Sequence, residues 1–321
     1  MPSLNQGKYI EEAILSVLQQ DHHNFELIVI DGGSNDNTTE VLKRYSERIT
    51  FWSSEKDSGQ TEAINNGLRR TSGDIVTWLN SDDVYEPGTF KKVSSMFSAE
   101  VSADFLHGKA LLFGERRKEK IVGLNEALSP EQYLPYMRFP QPAAFFRREI
   151  LERTGALNGQ LHYAMDHELV VRAVLLGAKS FATKDILARY RLHSAAKTVQ
   201  EHCFFEEWTA VFANALNSLA GGDRYVRRLT QLSLYKELNT RSYPCNTVFN
   251  ADQIRSAFLE HLHLHFHYYY RKLNGDKCRE IYEVIRETDP ARASARAYST
   301  YLWKLKIFPS FLFKLRHSLN T

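Results

Sequence analysis

The first eighty residues repeat one cycle of apolar and polar positions. Lys8 to Gln20 places Ile10, Ile14, Leu15 and Leu18 on one face at helical spacing. Phe25 to Ile30 (FELIVI) is a mostly apolar run too short for a typical helix, and it reads as a buried strand. It stops in a polar, glycine-bearing loop, Asp31-Gly32-Gly33-Ser34-Asn35-Asp36-Asn37-Thr38. A second helix follows with Val41, Leu42 and Tyr45, then a short strand from Thr50 to Trp52. The loop Glu55-Lys56-Asp57-Ser58-Gly59-Gln60 leads into a third helix that runs through Arg69. Ile75 to Leu79 form the next apolar run, the predicted central strand, which ends in Asn80-Ser81-Asp82-Asp83. Alternation of strand, loop and helix predicts an α/β fold with a parallel sheet and right-handed crossovers. Loops that follow parallel strands share one sheet edge, so Asp31, Asp57, Asp82 and Asp83 are expected around one crevice.

After Asp83 the pattern changes. Pro87 opens a helix with Phe90, Val93 and Phe97. Phe105 to Phe113 and Lys120 to Leu124 read as a strand pair around the charged turn 115–118. Gln141 to Phe146 is another strand, and Leu169 to Leu176 lies in a helix closed by Gly177. Ile186 to Leu192 is a last strand, ending at His193. Beyond about residue 198 the pattern is helical, with Asn274-Gly275-Asp276 as a helix–helix turn. The expected division is a mixed α/β domain over 1–197 and an all-α region over 198–321.

The acidic pair Asp82-Asp83 carries the sharpest chemistry. Adjacent carboxylates repel unless a cation or donor groups hold them, and a hard cation such as Mg2+ or Mn2+ suits them. Read alone, Asn-Ser-Asp-Asp is also an ordinary turn. Bulk composition narrows the field. The 321 residues carry 41 basic and 38 acidic side chains, and this balance offers no nucleic-acid signature. Cys203, Cys245 and Cys278 lack metal-type spacing and point to a reducing compartment. No apolar run reaches the roughly 18 residues that span a bilayer, and the first residues lack the basic-then-apolar pattern expected of a signal peptide.

Seven segments in order resemble family 2 glycosyltransferases of the GT-A fold: PSLNQGKYIEEAILSVL, ELIVIDGGSNDNT, EKDSGQTEAINNGL, GDIVTWLNSDD, QPAAFFRREILERTGALN, YAMDHELVVRA and YRLH. The resemblance covers residues 2 to about 200 and leaves the C-terminal third uncovered. It implies a GT-A, Rossmann-like mixed sheet sandwiched by helices. It also implies a hexosyltransferase-type enzyme that uses a nucleotide-sugar donor (UDP-, dTDP- or GDP-linked), a divalent metal (Mg2+ or Mn2+) and inversion at the sugar. The acceptor would be a saccharide or a lipid-linked hydroxyl in bacterial surface polysaccharide or glycoconjugate synthesis. Pro2, Ser3 and Asn5 would line the nucleoside pocket, Asp31 would bind the base, and Asp57 would lie against base or ribose. Gln60 and Asn80 join that donor-binding set. Asp82 and Asp83 stand where such enzymes carry a DXD motif, Asp82 facing the ribose or sugar and Asp83 the metal. His193 would touch metal or diphosphate, and Asp166 would deprotonate the acceptor. Met165 and His167-Glu168 depart from the residues usual beside that base. Read from the residues alone, Asp166 is also a helix N-cap and His193 a polar strand end.

Family members begin with an apolar strand just before the Pro-Ser turn, and here the chain starts at Met1-Pro2. A domain lacking that first strand should expose apolar surface and unpaired strand edges. His263 and His267, one helical turn apart, could bind zinc, but a partly packed helix face accounts for them as well. The tail from Tyr301 to Arg316 mixes aromatic and basic residues, which suits either a membrane interface or packing on the protein. The expected location is the cytoplasm, with peripheral contact at the inner face of the plasma membrane as a variant. A non-catalytic GT-A binding module, with its helical region recruiting partners, is the rival to the enzyme.

Overall fold

The structure is a computed structural model that describes residues 1–115, 118–235, 243–295 and 298–307. Part of the charged turn 115–118 and the tail after residue 307 therefore lie outside the described residues. The chain forms two compact units: residues 1–129, 137–200 and 244–247 make the first, and residues 130–136, 201–243 and 248–321 make the second.

In the first unit, β1 (Pro2–Ser3), β2 (Ile28–Asp31) and β3 (Phe51–Ser54) form a parallel sheet. Strand β2 shows why a nearly all-apolar run is needed here. Leu27 and Val29 join the main core with Ile10, Ile14, Val17 and Leu42. Ile28 and Ile30 face the other way and cluster with Ala63 on the helix Gln60–Leu68. Each fully buried aliphatic side chain contributes roughly 1.5–3 kcal/mol, so both faces stabilise the strand.

The resemblance leads one to expect no first strand at Met1-Pro2. Pro2 and Ser3 instead pair in register with Ile30 and Asp31 as a two-residue strand. The Met1 amine donates to the Ile28 carbonyl at 2.7 Å, and burial lowers its pKa to about 5.

The central strand also differs from expectation. Only Ile75–Val76 (β4) forms a ladder, and it pairs antiparallel with β8 (Ala144–Arg147), outside the parallel sheet. Thr77 to Leu79 are held by side chains instead: the Thr77 hydroxyl donates to the Ala144 carbonyl at 2.8 Å, and the Gln141 amide donates to the Trp78 carbonyl at 2.8 Å. The apolar character of Trp78 and Leu79 reports burial, not strand pairing. The second sheet runs β4-β8-β6-β9-β5, with β5 as Val84–Tyr85, β6 as Phe105–Gly114 and β9 as Ser180–Leu192. Strand β7 (Lys120–Val122) pairs with β6 as the hairpin pattern predicts. Strands β6 and β9 run parallel to the register pair Gly114↔Leu192.

In the second unit the regular secondary structure of the described residues is helical. The longest helix, Ala251–Arg271, starts with a capping box: Asn250 accepts from Gln253 N, and the Gln253 side chain accepts from Asn250 N. Asn274 caps the helix Gly275–Thr288, as the Asn-Gly-Asp turn suggests. His261 and His265 are buried, whereas His263 and His267 are half-buried with rings 4.4 Å apart. His263 Nδ1 lies 2.7 Å from the Tyr298 hydroxyl. Among the described residues no group of three His, Cys, Asp or Glu gathers as a metal set.

Gly114 ends β6 with φ of 124°, and an added Cβ there would run into the Leu192 carbonyl. Gly114→Ala should cost about 2 kcal/mol or more and lower the melting temperature, because the clash and the backbone conformation add. An unchanged melting curve would show that this β6–β9 end is not tightly registered.

Candidate active site

A cleft of about 510 Å³ opens in the first unit where several chain ends meet. Pro2 and Ser3 of β1 form one wall. Asp57 and Gln60 follow β3, Asn80 to Asp83 follow β4, and His193 follows β9. The structure thus gathers eight of the eleven residues singled out from the sequence. Asn5, Asp31 and Asp166 stand outside the lining.

The acidic turn is built from both sides. Asp83 N donates to the Asn80 carbonyl at 3.1 Å, so the residues do form a turn. The two residues after it, Val84–Tyr85, pair with Arg189 and Ala188 of β9, and this places the turn beside Arg191 and His193. Asp83 is 1% exposed, and its Oδ1 accepts from Arg191 N at 2.8 Å. Its Oδ2 has only a long contact, 3.5 Å from Asn80 Nδ2. Burial first, and then the neighbouring Asp82 charge, push the Asp83 carboxyl well above the usual range. Asp82 Oδ2 lies 3.0 Å from His193 Nε2, and the Asp82 carbonyl accepts from Arg191 Nε at 2.7 Å. Gln60 orients Asn80 by donating to its Oδ1 at 2.7 Å.

These donors fit a hard divalent ion, and the weakly held Oδ2 of buried Asp83 is the atom such an ion would satisfy. Among the described residues no three-residue His, Cys, Asp or Glu set closes around a point. Oxygens from a bound molecule or from water would have to complete the coordination.

Asp57 Oδ1 accepts from Gly59 N at 2.9 Å, and burial raises this carboxyl above its usual range. Gly32 has no room for a side chain, since a Cβ would stand 2.9 Å from that same oxygen. Asp31 is fully buried behind the wall. Its carboxylate accepts from Ser34 N at 2.9 Å, the Ser34 hydroxyl at 2.5 Å and the Ser54 hydroxyl at 2.6 Å. Asn5, with φ of 52°, ties loops together by accepting from Asn35 N and donating its own N–H to Ser34 Oγ.

Asp166 sits in the first turn of the helix Met165–Leu175, whose N-cap is Ala164. One carboxylate oxygen accepts from His167 N at 2.7 Å. The preceding His162 and Tyr163 do line the cleft. That stretch is steered by the helix Gln60–Leu68: Thr61 donates to the Leu161 carbonyl, and Asn65 both donates to and accepts from the Leu157 backbone. Glu168 is fully buried and pairs with Arg172 at 2.7 Å. Arg172 also donates to the Thr154 and Ala156 carbonyls.

Residues 1–155 match the sequence pattern of glycosyl transferase family 2. A putative teichuronic acid biosynthesis glycosyltransferase of Bacillus subtilis is 38% identical over 196 residues, covering 60% of this chain and 77% of that protein. The chain belongs to glycosyl transferase family 2. An uncharacterized glycosyltransferase of Rickettsia typhi is 25% identical over 228 residues, covering 68% of this chain and 71% of the relative. Among solved structures, S. aureus TarS 1-349 in complex with UDP-GlcNAc superposes with a TM-score of 0.61 at 17% identity. That superposition covers 92% of this chain and 81% of the other. The mannosyltransferase PcManGT from Pyrobaculum calidifontis, in complex with GDP-Man and Mn2+, gives a TM-score of 0.51 at 16% identity, covering 95% and 84%. These likenesses give the family 2 chain its GT-A fold, and its family makes it a glycosyltransferase.

Two things in this family 2 site were not foreseen from the sequence. The stretch His162-Tyr163 and the segment around Lys197 complete the cleft wall, where Lys197 Nζ donates to the His162 carbonyl at 2.8 Å. Arg191 holds the acidic turn although no local signal marks it apart from its place in YRLH.

Asp83 binds a proton more tightly folded than unfolded. Between the ordinary carboxylate range and its raised folded value, its contribution to stability therefore falls as pH rises. Asp83→Asn keeps an acceptor for Arg191 N and removes the buried charge. The variant should melt a few degrees higher than wild type at neutral pH without ligand, with the gap closing below about pH 4. Melting curves across pH 4–8 check this, and a lower melting temperature at pH 7 would refute it.

Proposed function

We propose that this chain is a metal-dependent, inverting glycosyltransferase that moves a sugar from a nucleotide-sugar donor to an acceptor hydroxyl. One observation carries the reading: the Asn80–Asp83 turn meets Pro2, Ser3, Asp57, Gln60 and His193 around a single cleft. The β1 and β3 ends supply a polar wall for a nucleoside, and the acidic turn supplies the floor for a diphosphate. UDP-GlcNAc in the TarS structure and GDP-Man with Mn2+ in the mannosyltransferase support this class of donor and ion. Asp83 and His193 would hold Mg2+ or Mn2+, which when bound neutralises charge on the departing diphosphate, and Asp82 would face the ribose or sugar.

The acceptor hydroxyl is a weak nucleophile, so a carboxylate must take its proton as the bond forms. Asp166 is our base: it is half-buried and sits three residues beyond Tyr163 of the cleft wall. The new bond joins acceptor oxygen to the anomeric carbon. The bond from that carbon to the diphosphate breaks on the opposite face, and the nucleoside diphosphate leaves with the electron pair. Attack from the far side inverts the sugar. Asp57 and the neighbouring Pro2–Ser3 segment on this wall support base and ribose recognition.

The teichuronic acid relative supports a surface polysaccharide or glycoconjugate as the product. No helix among the described residues is long and apolar enough to cross a membrane. We place the reaction on the cytoplasmic side, where nucleotide sugars are made.

A thermal-shift panel of UDP-, dTDP- and GDP-sugars, with and without Mn2+, should find one donor class that stabilises the protein more when the metal is present. No stabilisation by any nucleotide would overturn the reading. With that donor, Asp166→Asn should lower kcat by about 10²–10⁴ while nucleotide affinity holds. Full activity in this variant would remove Asp166 from its role, and NMR of the product's anomeric configuration checks inversion.

A further inference from the structure

The acidic turn poses a mechanical problem before any ligand arrives. Asp82 and Asp83 repel, Asp83 is out of water, and the turn itself closes through one backbone bond. Arg191 meets this problem with three separate groups. Its backbone N–H donates to Asp83 Oδ1 at 2.8 Å. Its Nε donates to the Asp82 carbonyl at 2.7 Å. Its guanidinium brings a fixed positive charge to the two carboxylates.

The guanidinium is itself held in place. Its centre lies 4.3 Å from the Phe113 ring centroid and 5.0 Å from that of Tyr9. Nη2 pairs with Glu12 at 2.5 Å, and the Arg191 side chain is 13% exposed. Arginine stacks on rings and forks to acceptors through a rigid plane, which lysine does not reproduce. The same Tyr9 ring packs on the His193 imidazole at 4.8 Å. One guanidinium therefore braces both members of the Asp82–His193 pair, the carboxylate through its backbone and the imidazole through Tyr9.

We propose that Arg191 is the positioning residue of this site. Supported by Glu12, it sets the acidic turn and His193 in the geometry that receives the diphosphate and its metal. Arg191 touches no reacting atom and acts through Asp82, Asp83 and His193. The diphosphate-and-metal part rests on the function proposed above, whereas the bracing of the turn does not.

Arg191→Lys tests it, because the backbone N–H and the positive charge remain while the planar fork is lost. Two measurements are made on the full-length protein. Amide hydrogen exchange in the ligand-free protein should quicken about tenfold or more at residues 81–83, and it should be unchanged in the helix Thr38–Arg44. Mn2+ titration and donor kinetics should show the half-saturating metal concentration and the donor KM rising about tenfold to a hundredfold, with acceptor KM unmoved. Glu12→Gln should shift the same parameters in the same direction by a smaller factor. The double variant should match Arg191→Lys alone, since both changes act through one brace.

Unchanged exchange at 81–83 overturns the proposal whatever the kinetics show. Faster exchange with wild-type metal and donor parameters also overturns it, because the turn would then be held but not positioned for ligand. If wild type binds no nucleotide under any condition, the proposed function fails, and the exchange arm still decides whether Arg191 braces the turn.

Discussion

Two neighbouring carboxylates, one of them removed from water, are the constraint that the first unit is built to satisfy. A buried, charged Asp83 beside Asp82 is costly unless donors are already in place. The short ladder between β5 and β9 supplies them. It joins the residues directly after the turn to a strand 105 positions later (Val84 to Arg189), and Arg191 and His193 follow two and four residues on. The parallel pairing of β9 with the long strand β6 shifts register near Lys109 and then runs unbroken from Ala110 to Gly114, so β9 is paired to its last residue, Leu192. The helix Ile10–Leu18 then adds Glu12 from its exposed side while burying Ile10 and Ile14 in the core. Core packing and site geometry therefore use opposite faces of one element.

Local features were readable in the sequence because their causes are local. The helix Ile10–Leu18 follows from spacing, the Asn274 cap follows from side-chain chemistry, and the DGG loop follows from the need for Gly33 at φ of 81°. The family segments, taken in order, located most of the cleft. The misreadings concern partners distant in sequence. Ile75 to Leu79 look like one strand because all five side chains suit burial. Only two of them find a ladder, since the Gln141 and Thr77 side chains satisfy part of the backbone nearby. Strand β5 has two residues and no periodicity to read. Asp31 stands at the end of β2 as its residue type suggests, and Ser34 and Ser54 donate to its buried carboxylate. Which hydroxyl reaches a carboxylate depends on the β2–β3 register, and composition does not encode that.

The rival reading as a non-catalytic module drew on departures near Asp166, and the structure gives those departures other causes. Met165 is buried at 6% exposure and faces packing. Glu168 reaches away into an ion pair with Arg172, whose Nη1 and Nη2 also donate to the carbonyls of Thr154 and Ala156. Removing one partner of such a buried pair costs about 3–5 kcal/mol, because a charge is left without compensation. Glu168 therefore answers to Arg172 and the end of the helix Arg148–Thr154, not to a substrate. Arg172 ties the helix Met165–Leu175 to the end of the helix Arg148–Thr154 through those two carbonyls, and Asp166 sits half-buried in its first turn, beyond the cleft wall of His162 and Tyr163. An unusual neighbour that locks the helix carrying the proposed base fits a working site, and it gives the binding-module reading no separate support.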